Sequence, residues 1–389
     1  MQSVRLAHFF SAFQSLGGVQ SVLRHQLDRD PAHGLQSELL VYFEKETERF
    51  DRVHYVGPTP CGSIRAARRR VRRVLANLRP EVAAYHGLWG IQHFADLDGA
   101  ARRIHVIHGD GPGMAILPQN APWLDGILCV SRPLQARVRS MLSHWDPERV
   151  GLLPYPIQPP VEPSFARPPI RGRPLVIGFA GRLEKLQKRV ERFPELISQL
   201  DKTGTPFRFE LLGGGEDRAW LEAQFANNPR VRFHGQKTGL DYWRVLQGWD
   251  VIVFVSDYEG LPIAMLEALA LGVIPVFPEI KSGGDDYAGR IDAGLLYPPA
   301  GLAEAAACIA RISRMGEAEI EHLRSQCRTV VAPHLGDGYI ETFSAFVRKL
   351  LEMPRIADEK FPSRSWFRDA CPLAAYDKFR AVKRRLAGH

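Results

Sequence analysis

Two carboxylates, Glu259 and Glu267, bracket seven uncharged residues in "EGLPIAMLE", and the apolar run continues as "ALALG". Glu267 is the only polar side chain from Pro262 to Leu271. A helix that is apolar on every side belongs in an interior, and an ionised carboxylate buried there needs partners. Two adjacent hydroxyls, such as a ribose diol, would supply them; a helix face open to water would also account for Glu267. Glu259 precedes the helix start, where negative charge is favoured.

Cations gather in "FAGRLEKLQKRV" (179–190). Arg182 follows a strand end, and Lys188 lies near the next helix start. Two cations so placed could clamp a diphosphate. Lys185 and Arg189 compete for that role, and a solvated cluster is the plain alternative. Gly17 and Gly18 precede a helix expected over about 19–28. Paired glycines let backbone approach a ligand and turn N–H groups toward an anion, although they also suit a flexible loop. No GxGxxG follows the first strand, which argues against a dinucleotide-dependent dehydrogenase.

His105 and His108 lie three apart on an expected strand and so point to opposite faces. They cannot share a metal as an i,i+4 helical pair does. His108 stands at the strand end, where a catalytic or sugar-binding role and a purely structural hydrogen bond both remain open. His86 in "YHGLWG" either faces an acceptor or caps a strand. Asp96 and Asp98 spell D-x-D, the pattern of many metal-dependent sugar transferases, but in a helix–turn segment rather than after a strand, so no metal site is expected. Gx4GK[ST], GxSxG and HExxH are absent.

These residues need elements to hold them. Short β-like runs alternate with helical stretches: 4–10, 37–43, 81–87, 103–109 and 126–131, then 174–181, 207–213, 231–235, 251–256 and 272–277. Such alternation implies α/β architecture, with two Rossmann-like domains whose parallel sheets are covered by helices. Ligands then bind beyond the carboxyl ends of the strands, where most of the residues above lie. Residues 1–158 are expected as the first domain, a proline-rich linker over 159–173, the second domain over 174–354, and basic terminal helices over 355–389 that cross back to the first domain.

With 389 residues, 45% hydrophobic and 24% charged, the chain has the composition of a soluble two-domain protein. No run approaches eighteen apolar residues, and the start lacks signal-peptide features. Five scattered cysteines form no CxxC, so a reduced cytoplasmic setting is expected. The net charge of +8 is concentrated in "RAARRRVRR" (65–73), on a helix with an apolar stripe at Ile64, Val71, Val74, Leu75 and Leu78. A solvated face accounts for the charge. Contact with an anionic membrane at the inner face is the next reading. Nucleic acid is disfavoured because no aromatic residues are interleaved.

Taken together, "GGVQ" (17–20), "CVSRPLQ" (129–135), "GRLEKLQKRV" (181–190), "LLGGGE" (211–216), "RFHGQ" (232–236) and above all "EGLPIAMLEALALGVIPV" (259–276) resemble the glycogen-synthase-like retaining glycosyltransferases of family 4, with the GT-B fold. The resemblance covers roughly residues 4–350, and its specific element is the E-x7-E signature. It implies transfer of a sugar from a nucleoside-diphosphate sugar, UDP before GDP, to a glycan or lipid-linked acceptor, without metal or other required cofactor. Arg182 and Lys188 would hold the diphosphate, Glu267 the ribose, and Glu259 the sugar hydroxyls, with help from the Gly260 and Leu261 amides. Gly17 and Gly18 would reach the diphosphate from the first domain. His108 would lie near the sugar, and His234 and Gly235 beside the base. The catalytic set so implied is Glu259, His108, Arg182 and Lys188. Arg182 and Lys188 stand one residue further apart than in the commonest family pattern, which leaves Lys185 open as the phosphate ligand. A catalytically silent nucleotide-sugar-binding relative and a GT-B epimerase are the alternatives.

Overall fold

A computed structural model describes residues 3–14, 17–59, 61–159, 169–357, 361 and 369–372. Thirteen strands among them form two wholly parallel sheets. The first contains β1 (Val4–Phe10), β2 (Leu35–Val41), β3 (Val53–Tyr55), β4 (Val82–Tyr85), β5 (Arg102–Ile107), β6 (Gly126–Cys129) and β7 (Val150–Leu152), in the order β3-β2-β1-β4-β5-β6-β7. The second contains β8 (Leu175–Ala180), β9 (Phe207–Leu212), β10 (Val231–Gly235), β11 (Val251–Val253), β12 (Ile274–Pro278) and β13 (Leu296–Tyr297), in the order β10-β9-β8-β11-β12-β13.

Parallel strands covered by helices on both faces are apolar along nearly their whole length. That is why the central strands are legible as runs: Leu6, Ala7 and Phe9 of β1 and every residue of β11 are fully buried. The three strands that no run marks, β3, β7 and β13, all lie at sheet edges and are two or three residues long. An edge strand of that length carries too few buried side chains to leave a pattern. Gly178 in β8 admits the indole of Trp249, since a Cβ there would lie 1.9 Å from it. Trp249 Nε1 donates to Glu210 across the same sheet.

The chain returns to the first domain within the Gly338–Glu352 helix, ahead of the 355–389 segment expected to make the crossing. Phe346 and Leu350 on that helix press against Gly126 and Gly151. Arg102 and Arg149 donate to the carbonyls of Met353 and Pro354, and buried Asp125 accepts from the amides of Ile356 and Ala357. Most of 358–389 lies outside the described residues, as do residues 160–168 of the expected linker.

The arginine-rich stretch is the Ile64–Leu78 helix, capped by Ser63 Oγ on Ala66 N. It buries Ile64, Ala67, Val71, Leu75 and Leu78. Arg68 is also buried, forked onto Asp96, whereas Arg65, Arg69, Arg70, Arg72 and Arg73 are exposed. Among the described residues no helix is long and apolar enough to cross a membrane.

Candidate active site between the two sheets

The loop after β11 enters the site as 257–262. Glu259 is 4% exposed, and a carboxylate so buried requires partners. Lys188 Nζ lies 2.6 Å from its Oε1, Ser256 Oγ donates to the same oxygen at 2.7 Å, and Gln187 Nε2 reaches Oε2 at 3.2 Å. Gln187 also donates to the Tyr258 carbonyl and accepts from Arg182. Glu259, Lys188, Gln187 and Arg182 are therefore one connected cluster. Arg182 is its open end, with 62% of its side chain exposed and Glu184 at 3.2 Å. Lys185 turns elsewhere, pairing with Asp217 at 3.3 Å and standing over Trp220. Of the two lysines, only Lys188 joins the Glu259 cluster.

The helix after this loop runs Ile263–Ala270. Met265, Leu266, Ala268, Leu269 and Ala270 are buried, whereas Ile263, Ala264 and Glu267, which share a face at i, i+1 and i+4, are half-buried. The helix thus has one open stripe, the alternative that the sequence left beside a fully enclosed helix. Tyr242 Oη donates to Glu267 Oε2. Burial raises the Glu267 carboxyl to about 7, against the opposing pull of that hydrogen bond.

The first domain closes on this loop from the other side. Gly109, just past β5, forms an antiparallel bridge with Gly260. A Cβ on Gly260 would lie 2.0 Å from the His108 carbonyl oxygen, so only glycine permits the approach. Gly18 begins the Gly18–Arg29 helix, and a Cβ there would lie 2.7 Å from Cδ1 of Ile263. The starts of two helices from different domains therefore meet, each a positive dipole end whose first N–H groups have no partner within the helix itself. Gly17 extends the backbone just before that start.

His108 is in this wall, but both its ring nitrogens are engaged within the protein: Nε2 lies 2.8 Å from His86 Nδ1 and Nδ1 lies 2.6 Å from Tyr155 Oη. Burial and the neighbouring His105 hold its pKa down at about 3, so the ring is neutral. His105 faces away and reaches the Tyr85 carbonyl. His234 lies on β10 with its Nε2 2.8 Å from Glu210, and Gly235 follows with positive φ. Both are at the far edge of the second sheet, apart from the Glu259 cluster in their hydrogen bonds. Leu261 is buried. Asp96 and Asp98 diverge, the first to Arg68 and the second to Arg103 and Tyr85.

Gln187, Ser256, Tyr242 and Tyr155 were not singled out from the sequence. Gln187 and Ser256 neighbour marked residues and could have been. Nothing in sequence links Tyr242 or Tyr155 to the carboxylate and histidine they meet.

Residues 174–315 match the family model described as "Glycosyl transferases group 1". That match covers just over a third of the chain, the part that holds Arg182, Lys188, Glu259 and Glu267. Over 163 residues it is 27% identical to the lipopolysaccharide 1,6-galactosyltransferase of Salmonella typhimurium, a match covering 40% of this chain and 44% of that relative. The chain thus aligns with less than half of that enzyme's length. Among solved structures, the apo form of the lipopolysaccharide outer core galactosyltransferase WaaB superposes with a TM-score of 0.69 at 16% identity, covering 88% of this chain and 99% of that one. Anabaena Alr3699/HepE in complex with UDP and glucose gives 0.70 at 14% identity, covering 90% and 100%. At those identities the likeness shows the fold, which is GT-B.

Proposed function

We propose that this protein is a retaining glycosyltransferase of the family 4 type, moving a sugar from a nucleoside-diphosphate sugar to a glycan or glycolipid acceptor in cell-surface polysaccharide biosynthesis. UDP is favoured over GDP as the donor nucleotide, and no metal takes part. The observation that carries this reading is the placement of the Arg182–Gln187–Lys188–Glu259 cluster against a loop bridged to His108–Gly109, beside the paired helix starts at Gly18 and Ile263. A matched group 1 model over the second domain and a UDP complex among the structural neighbours support it.

In this reading a departing diphosphate meets Arg182, Lys188 and the N–H groups at Gly18 as charge builds on it. Fixed positive groups aimed at developing charge are among the strongest catalytic devices. Lys188 exchanges the Glu259 carboxylate for phosphate oxygen, which leaves Glu259 to accept from the sugar hydroxyls. Glu267, on the open stripe of its helix, accepts from the ribose diol, and Tyr242 fixes its second oxygen.

A thermal-shift screen over nucleotide sugars tests this. A donor at a hundred times its Kd adds about 2.7 kcal/mol to folded-state stability. At least one UDP- or GDP-sugar is expected to shift the wild type, Glu267→Gln to lose most of that shift, and the surface variant Asp201→Ala to keep it. The pH dependence has a definite sign. The raised Glu267 carboxyl favours the ligand-free folded chain at low pH, and that contribution is lost as pH rises through about 7. Diol donors prefer the ionised form, so donor binding should tighten by up to about tenfold between pH 6 and 8 and stay flat in Glu267→Gln. Equal loss of the shift in Asp201→Ala would count against the site.

A further inference from the structure

A line of buried polar groups runs from the cleft wall into the first domain, and nothing in the proposed reaction uses it. Behind His108, His86 Nε2 lies 3.0 Å from His8 Nδ1. His8 Nε2 in turn lies 3.9 Å from Asp30 Oδ2. His8 and Asp30 are fully buried and His86 nearly so. The His86 and His108 rings are parallel to within 13°, and those of His108 and Tyr155 to within 9°. Ser37 Oγ donates to Asp30. At the other end Tyr155 is held independently: its carbonyl accepts from His334 Nδ1, and His334 Nε2 meets Tyr287 Oη.

Asp30 decides the direction of the hydrogen bonds. A bare ring nitrogen facing a buried carboxylate would repel it, so the His8 nitrogen nearest Asp30, Nε2, carries the proton. One ring proton placed at Nε2 leaves the Nδ1 lone pair of His8 to accept from His86 Nε2–H. By the same logic His86 Nδ1 accepts from His108 Nε2–H, and His108 Nδ1 accepts from the Tyr155 hydroxyl. His86 and His108 each make one donated and one accepted bond, while His8 accepts at Nδ1 and faces Asp30 across 3.9 Å with no hydrogen bond at Nε2; each tautomer is fixed by the next.

We propose that Asp30, His8 and His86 are positioning residues that lock His108 into its Nε2-protonated tautomer through this chain. His108 then serves the cleft as a fixed neutral wall and through its carbonyl beside Gly260, and its ring neither gives nor takes a proton during transfer. The proposal rests on the glycosyl-transfer reading only for the meaning of the cleft.

Histidine-ring NMR of the isotope-labelled full chain tests it without any turnover. The His108 signals are assigned by their loss in His108→Gln. The wild type is expected to show a protonated Nε2 and a bare Nδ1 at His108. Asp30→Asn removes the buried charge that holds the proton on His8 Nε2; with the Asn amide N–H turned to His8 and Ser37 Oγ accepting from that same NH2 instead of donating, every bond should reverse and the His108 proton move to Nδ1, three residues away from the change. If Asp30→Asn does not fold, Tyr155→Phe serves instead: it removes the last donor but not Asp30, and His108 should keep its Nε2 proton. A charged or Nδ1-protonated His108 in the wild type would overturn the proposal, as would an unchanged tautomer in folded Asp30→Asn or a switched one in Tyr155→Phe. Should no nucleotide sugar bind, the functional reading fails while the tautomer result stands.

Discussion

If the protein transfers sugar as proposed, replacing Lys188 with alanine should lower that transfer by about 10²–10³-fold, the scale on which one preorganised electrostatic donor acts. The same change also affects the resting protein. Lys188 Nζ is 2.6 Å from a carboxylate that is itself 5% exposed in its side chain. Removing one member of a buried pair costs about 3–5 kcal/mol, and the lower end applies because Ser256 and Gln187 still donate to Glu259. The double variant Lys188→Ala/Glu259→Gln separates the two effects. With the stranded charge gone, its unfolding midpoint should recover most of the loss, while transfer stays low because no cation meets the diphosphate. If transfer returns along with stability, the pair is structural and the assignment of Lys188 is wrong.

Gly260→Ala carries the second large effect. Its new methyl would lie 2.0 Å from the His108 oxygen, 2.7 Å from the His108 carbonyl carbon and 2.9 Å from Gly109 Cα. All three are backbone atoms, so no side chain can swing aside to relieve the clash. The Gly260 carbonyl also accepts from Gly283 N at 2.7 Å, which limits how far the loop can retreat. The cleft must therefore widen by the order of 1 Å, a misplacement that costs about 10²-fold in rate. Because the two sheet cores are untouched, the stability loss should stay within the roughly 1–3 kcal/mol of a local overpacking. Kinetics of transfer beside a thermal unfolding curve check both halves. Undiminished transfer would mean that the Gly109–Gly260 contact does not set the geometry of the site.

The parts of this site that were legible in the sequence are those carried by local order. Glu259 and Glu267 were visible because a carboxylate in an apolar run contradicts its surroundings, and Arg182 because it follows a strand end. Spacing could not choose between Lys185 and Lys188. Both flank the same turn, and the choice depends on Asp217 and Trp220 drawing Lys185 away. An open stripe on the Ile263–Ala270 helix could not be chosen over full enclosure, since Ile263 and Ala264 are apolar whether or not anything covers them. The histidine chain lay further out of reach. His8, His86 and His108 come together because β1, β4 and β5 are neighbours in the sheet, with His8 opposite Ala84 and Tyr85 opposite His105. Strand order is a tertiary fact, and no pattern within a strand encodes it. The same holds for Tyr242, which reaches Glu267 from a helix twenty-five residues earlier.

Hydrogen exchange of the full chain, with and without the UDP-sugar that raises its unfolding midpoint most, tests donor binding in the cleft most directly. Slower exchange is expected together at 17–21 and 108–109 in the first domain and at 181–188 and 257–267 in the second. Protection confined to one domain, or falling away from these four stretches, would contradict a nucleotide sugar held between the two sheets.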